Sequence, residues 1–158
     1  HVASPDGKER FGKYGVPAKV NDSLRRLITH EWESPHQTLY DVLIIPGGFE
    51  CPDRLRMQDD VRRTVRMYFE AGKLVAAICH GPWVLISAGI CKGMRMTGYE
   101  SIRCDLENAG ALYTDRPVIV DHNIITAQHY KHNHAFMRAV IDARLGLMNW
   151  PKYEISHV

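Results

Sequence analysis

Two short apolar runs, at residues 40–48 and 74–78, constrain the fold of this chain more than any other feature. The first, YDVLIIPGG, ends in Pro-Gly-Gly, and the second, LVAAI, leads directly into Cys-His-Gly-Pro. Short continuous apolar runs closed by turn residues are typical of parallel strands that are buried on both faces. We therefore expect two fully buried strands, each entering a tight loop.

The segment between these runs has the period of a helix. In DDVRRTVRMYFEAGK, residues 59–73, apolar side chains recur at helical spacing, and Gly72 suits the end of the helix. The recurring side chains are Val61, Val65, Tyr68 and Phe69. A strand, a helix and a strand in this order favour an α/β sandwich with a mostly parallel sheet.

The rest of the sequence predicts further elements around the same sheet. Residues 83–88, WVLISA, are apolar on every side and predict a buried helix that ends at Gly89. We also expect a short strand near residues 95–97, a helix over residues 101–109, a hairpin turning at residues 121–123, and a last helix from about Asn133.

Composition and charge exclude several classes of protein. The chain has 158 residues and a net charge of +2, and no apolar run reaches the roughly 20 residues that span a bilayer. We therefore expect one domain over residues 1–158 that binds neither nucleic acid nor a membrane. We also expect no cofactor, and the scattered cysteines favour the cytoplasm. The four cysteines, Cys51, Cys79, Cys91 and Cys104, have neither a zinc-site nor a disulfide spacing.

The Cys79-His80-Gly81 junction joins a buried strand to a buried helix. A residue at such a junction lies on a sharp turn above the sheet, which is the geometry of a nucleophile elbow. The positive end of the helix dipole, together with a protonated His80, would stabilise a thiolate at Cys79. The alternative is that Cys79 only packs beneath the helix, since cysteine is often buried.

Two backbone N–H groups are candidates for an oxyanion hole. The N–H that follows a nucleophile commonly serves as one donor, and here it belongs to His80. Gly48, at the end of the first strand, would supply the second donor. The alternative for Gly48 is an ordinary glycine-rich turn.

Three segments resemble the PfpI/ThiJ superfamily, and the intracellular peptidase-like branch is the most similar part of it. They are IIPGGFECPDRLR, GKLVAAICHGPWVLISAGICKG and MTGYESIRCDLENAGALYTDRPVIVDHNIITA, and the resemblance extends over residues 2–145. It implies a flavodoxin-like three-layer sandwich, mostly parallel, with a nucleophile elbow. It also implies that the first strand and helix of the family, with a glutamate that contacts the nucleophile, are absent from residues 1–158.

The resemblance assigns roles to individual residues. Cys79 matches the nucleophile and His80 its partner, while Asp53 matches a carboxylate that a neighbouring subunit contributes in that branch. Glu50 is the alternative acid, because FECPD is one residue longer than in many relatives. Tyr99 matches a tyrosine that lines the site.

These roles imply a cysteine-dependent hydrolase, of the peptidase or amidase type, that acts on a small-molecule or peptide substrate. An acid supplied by another subunit implies a homo-oligomer, either a dimer or a trimer of dimers. A glyoxalase or deglycase that acts on methylglyoxal or glycated groups is an alternative, as is a non-enzymatic stress-response chaperone or redox sensor in which Cys79 is oxidised.

The remaining His and Cys residues are weaker candidates for a functional role. His129, His132 and His134 lie close together in QHYKHNH, where a polar loop at the rim of the site is favoured over a zinc site, and we expect no bound metal. We expect Cys91 and Cys104 to be packing residues, and Cys51 not to be a redox accessory. The tail, residues 149–158, is expected to lie on the surface.

Overall fold

The computed structural model describes residues 1–12, 14–26 and 40–147 of the chain. The N-terminal part holds four two-residue strands. They are β1 (Ala3–Ser4), β2 (Arg10–Phe11), β3 (Pro17–Ala18) and β4 (Asp22–Ser23). Strands β1 and β4 pair in parallel, whereas β2 and β3 form an antiparallel hairpin.

The predicted alternation of strands and helices is present over residues 42–144. The strands are β5 (Val42–Ile45), β6 (Leu74–Ile78), β7 (Arg95–Met96), β8 (Leu112–Tyr113), β9 (Val118–Asp121) and β10 (Ile124–Ala127). The helices are α1 (Glu50–Arg56), α2 (Asp59–Glu70), α3 (Pro82–Ala88), α4 (Arg103–Asn108) and α5 (Asn133–Arg144), and Glu100–Ile102 and Tyr130–His132 form 3₁₀ turns.

The main sheet has four strands in the order β5-β6-β10-β9. Strand β6 pairs in parallel with β5 on one side and with β10 on the other, and only the hairpin partner β9 runs antiparallel to its neighbour. All five residues of β6 are buried. The predicted mostly parallel sheet is therefore confirmed, with the segment that leads to Cys79 at its centre.

The two faces of β6 pack against different helices, which makes the domain a three-layer sandwich. Val75 and Ala77 join a cluster that includes apolar residues of α2, α3 and α4. Leu74, Ala76 and Ile78 join a second cluster with residues of α5. This alternation follows from the two-residue period of a strand, and it confirms the flavodoxin-like layering.

The expectation that residues 40–48 form a fully buried strand is wrong. Ile45 is buried, but the side chain of Ile44 is 44% exposed, because β5 lies at the edge of the main sheet and the described residues place no strand on its outer side. The apolar run alone did not distinguish an edge strand from a central one.

The expectation that Cys91 and Cys104 both pack in the core holds only for Cys91. Cys91 is 2% exposed, and burial raises the pKa of its thiol to about 12. Cys104 is exposed because α4 follows a 3₁₀ turn and buries Ile102 and Leu106 instead.

Residues 149–158, the predicted surface tail, lie outside the described residues. No helix in the described part is both long and apolar enough to cross a membrane.

Candidate active site

Cys79 occupies the strained turn that the sequence predicts. It directly follows β6 and has a φ of 63°, in the left-handed region that non-glycine residues rarely adopt. Two backbone hydrogen bonds hold this conformation: the Cys79 N–H donates to the carbonyl of Ala127 at 2.8 Å, and the Tyr99 N–H donates to the carbonyl of Cys79 at 2.9 Å. The strain is therefore fixed by strand β10 and by the loop after β7.

Three glycines surround Cys79 where a side chain would not fit. A Cβ on Gly47 would lie 2.7 Å from Cys79 Cβ and 3.6 Å from its sulfur. A Cβ on Gly81 would lie 2.9 Å from the carbonyl oxygen of Ile78, and one on Gly98 would lie 3.3 Å from the carbonyl oxygen of Cys79. Bare backbone therefore packs closely around the elbow at the carboxyl end of β6, where parallel sheets place their ligand sites.

His80 links the thiol to a hydroxyl on the opposite side of its ring. Its Nδ1 lies 3.3 Å from the sulfur of Cys79, and its Nε2 lies 3.2 Å from Oγ of Ser101. Imidazole has one proton-accepting and one proton-donating nitrogen in its neutral form. The ring can therefore accept a proton from the thiol while it donates to Ser101.

Aromatic side chains fix the plane of the His80 ring. Tyr99 stacks on it at a centroid distance of 4.9 Å, and Trp83 contacts it edge-on at 5.1 Å. The Trp83 indole N–H in turn donates to Oδ2 of Asp105 at 2.7 Å. Burial lowers the pKa of His80 below the ordinary imidazole value, so the surroundings favour the neutral base over the imidazolium that the sequence suggested.

A comparison of the sequence with protein families gives a match to the DJ-1/PfpI family over residues 1–143. The chain belongs to the DJ-1/PfpI family. The resemblance found in the sequence is thus confirmed, and so is its fold.

The names of similar proteins include a protease and a deglycase. "Putative cysteine protease YraA" of Bacillus subtilis is 42% identical over 132 residues, which are 84% of this chain and 73% of that protein. "Deglycase PfpI" of Pyrococcus furiosus is 39% identical over 141 residues, which are 89% of this chain and 80% of that protein. The crystal structure of DJ-1beta of Drosophila melanogaster superposes with a TM-score of 0.78 at 26% identity, covering 89% of this chain and 71% of that one.

The structure brings three of the predicted residues together and leaves the acids apart from them. Cys79, His80 and Tyr99 are in mutual contact through the distances given above. Asp53 lies exposed on α1, and within the described part of the chain its carboxylate makes no hydrogen bond to His80. Glu50 is also exposed and forms an ion pair with Arg54 of the same helix at 2.7 Å. The acid therefore stays a prediction.

The two predicted oxyanion donors are backbone N–H groups at the ends of β5 and β6. Neither the Gly48 N–H nor the His80 N–H makes a hydrogen bond to any of the described residues. Gly48 has a φ of 79°, and its Cα faces open space, whereas the preceding Gly47 lies against the thiol. Gly48 therefore directly follows the glycine that packs against the Cys79 side chain.

Sequence reasoning missed Gly47, Gly98, Trp83 and Ser101. Gly47 belongs to the same Pro-Gly-Gly turn as Gly48 and carried a usable signal, since a glycine pair at a strand end suggests close approach of backbone. Ser101 lies 21 positions after His80 and reaches it only because the loop after β7 folds back over the elbow. No local pattern indicates that contact.

The histidine-rich loop lies at the rim of the site, as predicted. The His129 ring stacks on Tyr99 at a centroid distance of 5.8 Å and contacts Tyr130 in a tilted arrangement at 4.0 Å. Among the described residues, no three His, Cys, Asp or Glu side chains are close enough to hold a metal ion. Cys51 is exposed at the start of α1.

Proposed function

We propose that this protein is a cysteine-dependent enzyme whose Cys79 thiolate attacks a carbonyl-derived carbon of the substrate. The observation that carries the proposal is the left-handed conformation of Cys79, which turns the thiol toward Nδ1 of the neighbouring His80. A strained backbone is retained where the surroundings enforce it, and strained residues cluster at active sites. The names of both kinds of relative support an enzyme of this general type.

The first candidate reaction is hydrolysis of an amide. His80 accepts the thiol proton, and the sulfur adds to the carbonyl carbon while the Gly48 and His80 N–H groups hold the oxyanion. The C–N bond then breaks, the amine leaves with the proton from His80, and a thioester remains on Cys79. Water, deprotonated by His80, hydrolyses the thioester to a carboxylic acid and restores the thiol. The cysteine-protease name of the B. subtilis relative favours this reaction.

The second candidate is removal of a methylglyoxal adduct from an amine. The sulfur bonds to the hydroxyl-bearing carbon of the adduct, the C–N bond breaks, and the amine leaves with a proton from His80. The resulting hemithioacetal isomerises through an enediol: its C–H proton moves to the neighbouring ketone carbon and its hydroxyl proton moves to the ketone oxygen, giving a lactoyl thioester. Water then releases lactate. The deglycase name of the P. furiosus relative favours this reaction equally.

The proposal includes an acid from a second subunit. Asp53 is exposed on α1, and this helix packs beside α3, where Arg56 donates a hydrogen bond to Ser87 at 3.0 Å. We propose that Asp53 orients the His80 of a neighbouring copy in a homo-oligomer. Glu50 is a weaker candidate because Arg54 already neutralises it.

The test compares wild type, Cys79→Ala and a matched cysteine variant, Cys104→Ala. Cys104 is also free but lies on the exposed face of α4, so its loss removes a thiol without altering the elbow. Each protein is assayed with a fluorogenic peptide amide and with a methylglyoxal-treated amine, with release of amine and lactate measured separately. We expect Cys79→Ala to lose turnover and Cys104→Ala to retain it.

The outcomes separate the candidate functions. Cys79-dependent release of the fluorophore supports the hydrolase, and Cys79-dependent release of lactate with free amine supports the deglycase. If neither substrate shows Cys79-dependent turnover, the enzyme proposal is rejected in favour of the redox sensor. Mass spectrometry after mild peroxide then asks whether Cys79 is the oxidised residue.

A further inference from the structure

A polar cleft of about 350 Å³ lies directly beside the elbow. Tyr99 and His129 both line the cleft, and the Tyr99 ring stacks on His129 at 5.8 Å and on His80 at 4.9 Å. The volume lies in the lower part of the range found for small-molecule sites. The cleft is therefore lined by the same tyrosine that stacks on His80.

One side of the cleft carries the Arg103 guanidinium, which pairs with Glu107 and keeps unused hydrogen-bond donors. The Arg103 guanidinium donates from Nε to Glu107 at 2.8 Å and lies 5.1 Å from the ring centroid of Tyr113. Its two terminal nitrogens make no hydrogen bond to the described residues. A guanidinium held in one plane with free terminal N–H groups is suited to a carboxylate.

The cleft also carries negative charge with unused acceptors. The Glu100 carboxylate has no hydrogen-bond or ion-pair partner among the residues that the structure describes. Asp115 accepts a hydrogen bond from Gln128 through Oδ1 at 2.7 Å, which leaves Oδ2 without a partner in the same residues. These carboxylates are suited to an ammonium group.

Arg103 and Asp115 line the same cleft. The pKa of Arg103 is raised mainly by Glu107 and, to a smaller extent, by Tyr113 and Asp115. The cleft thus offers positive and negative charges side by side within the dimensions of a single small molecule. A ligand with one charged group would pair with either the guanidinium or the carboxylates, whereas a zwitterion pairs with both.

We infer that this cleft binds the α-ammonium and α-carboxylate groups of a free amino acid whose modified side chain reaches Cys79. The carboxylate binds Arg103, and the ammonium binds Glu100 and Asp115. This inference rests on the proposed function, because it takes Cys79 as the reacting group. It narrows the substrate class to side-chain amides or side-chain carbonyl adducts of free amino acids.

The first experiment measures binding without catalysis, using full-length Cys79→Ala protein and isothermal titration. The probes are lysine, Nα-acetyl-lysine and lysinamide, which differ only in the charge of the α-groups. We expect lysine to bind about tenfold more tightly than either blocked form, since a hydrogen bond to a charged group contributes about that factor. Equal affinity for the three probes would overturn the inference.

Variants of the cleft residues test which charged side chain binds which α-group of the ligand. We expect Arg103→Gln to remove the preference for lysine over lysinamide while the preference over Nα-acetyl-lysine stays. Glu100→Gln combined with Asp115→Asn should remove the preference for lysine over Nα-acetyl-lysine and leave the preference over lysinamide. Arg138→Gln, which removes an exposed arginine on α5 outside the cleft, is the matched control and should change neither preference. Loss of both preferences in the control would also overturn the inference.

Turnover then separates this inference from the proposed function. The substrates for the wild type are side-chain adducts of lysine and of its two blocked forms. If Cys79 turns over all three with equal kcat/KM, the inference about the cleft is rejected and the enzyme proposal stands. Discrimination among the binding probes without any Cys79-dependent turnover would support the cleft and reject the enzyme.

Discussion

Nδ1 of His80 lies 3.3 Å from the sulfur of Cys79, although the two residues are neighbours in sequence. Adjacent side chains of an extended strand point to opposite faces and do not meet. Here they meet because Cys79 leaves β6 with a φ of 63° and the chain turns at once into α3. The contact between Cys79 and His80 is therefore a consequence of the turn, and the turn is held by Ala127 and Tyr99.

The lowered pKa of His80 gives a prediction about pH. Burial disfavours the imidazolium, so we expect the His80 ring to titrate below 6.5, the ordinary value, and to stay a neutral base at pH values where a free imidazole would be protonated. NMR of labelled His80 in Cys79→Ala measures this titration without coupling to the thiol. The same residue in the urea-denatured chain is the control, and equal midpoints in the two states would contradict the prediction.

The lowered pKa of His80 also predicts how the free energy of unfolding changes with pH. Since the pKa of His80 is lower in the folded state, the unfolded state binds more protons as the pH falls through the range near 6.5. The contribution of His80 to the free energy of unfolding is then lost as the pH falls, down to its folded-state pKa. Urea titrations at several pH values, compared between wild type and His80→Gln, should show a smaller pH dependence in the variant.

The order of the elements and the elbow could be predicted from sequence because both depend on local patterns. Apolar runs define β5 and β6, and the Cys-His-Gly junction defines the turn between β6 and α3. The exposure of Ile44 could not be predicted, because it depends on which strands pair beside β5. The contact between Ser101 and His80 depends likewise on how a distant loop folds over the elbow.

Ser101 is expected to act as a positioning residue for His80. Its hydroxyl lies 3.2 Å from Nε2, so removing it frees the ring to rotate away from the thiol. We expect Ser101→Ala to lower kcat/KM by about threefold to tenfold, the usual effect of one neutral hydrogen bond. Ser101→Thr retains a hydroxyl and should restore most of the activity. A shift of the His80 titration in Ser101→Ala but not in Ser101→Thr would distinguish positioning from a general loss of structure.

The two glycines after β5 are expected to respond differently to alanine. At Gly47 the new Cβ would lie 2.7 Å from Cys79 Cβ, so Gly47→Ala must displace the elbow and should abolish most activity. At Gly48 the new Cβ meets nothing within 4 Å, and the cost is backbone strain at a φ of 79°, about 1 kcal/mol of stability. Thermal unfolding and kcat/KM of both variants test this. A Gly47→Ala protein as active as Gly48→Ala would contradict the close packing.

Asp53 is expected to act on the His80 of a neighbouring copy. We expect Asp53→Asn to lower kcat/KM by up to about 100-fold, because a misplaced catalytic group loses a factor of this size. Cys79→Ala should also be inactive. If the acid acts between subunits, mixing the two variants under conditions that exchange subunits should create sites that combine an intact Cys79-His80 pair with an intact Asp53, and activity should return.

Mixing Cys79→Ala with Glu50→Gln is the matched control, since Glu50 lies on the same helix but is paired with Arg54. Glu50→Gln alone should be nearly as active as the wild type, so that mixing with Cys79→Ala produces no gain. Full activity of Asp53→Asn, or activity of a protein that light scattering shows to be a monomer, would exclude the role of Asp53 between subunits. His80 would then be oriented by Ser101 within its own chain, the one polar contact of Nε2 that the described residues supply.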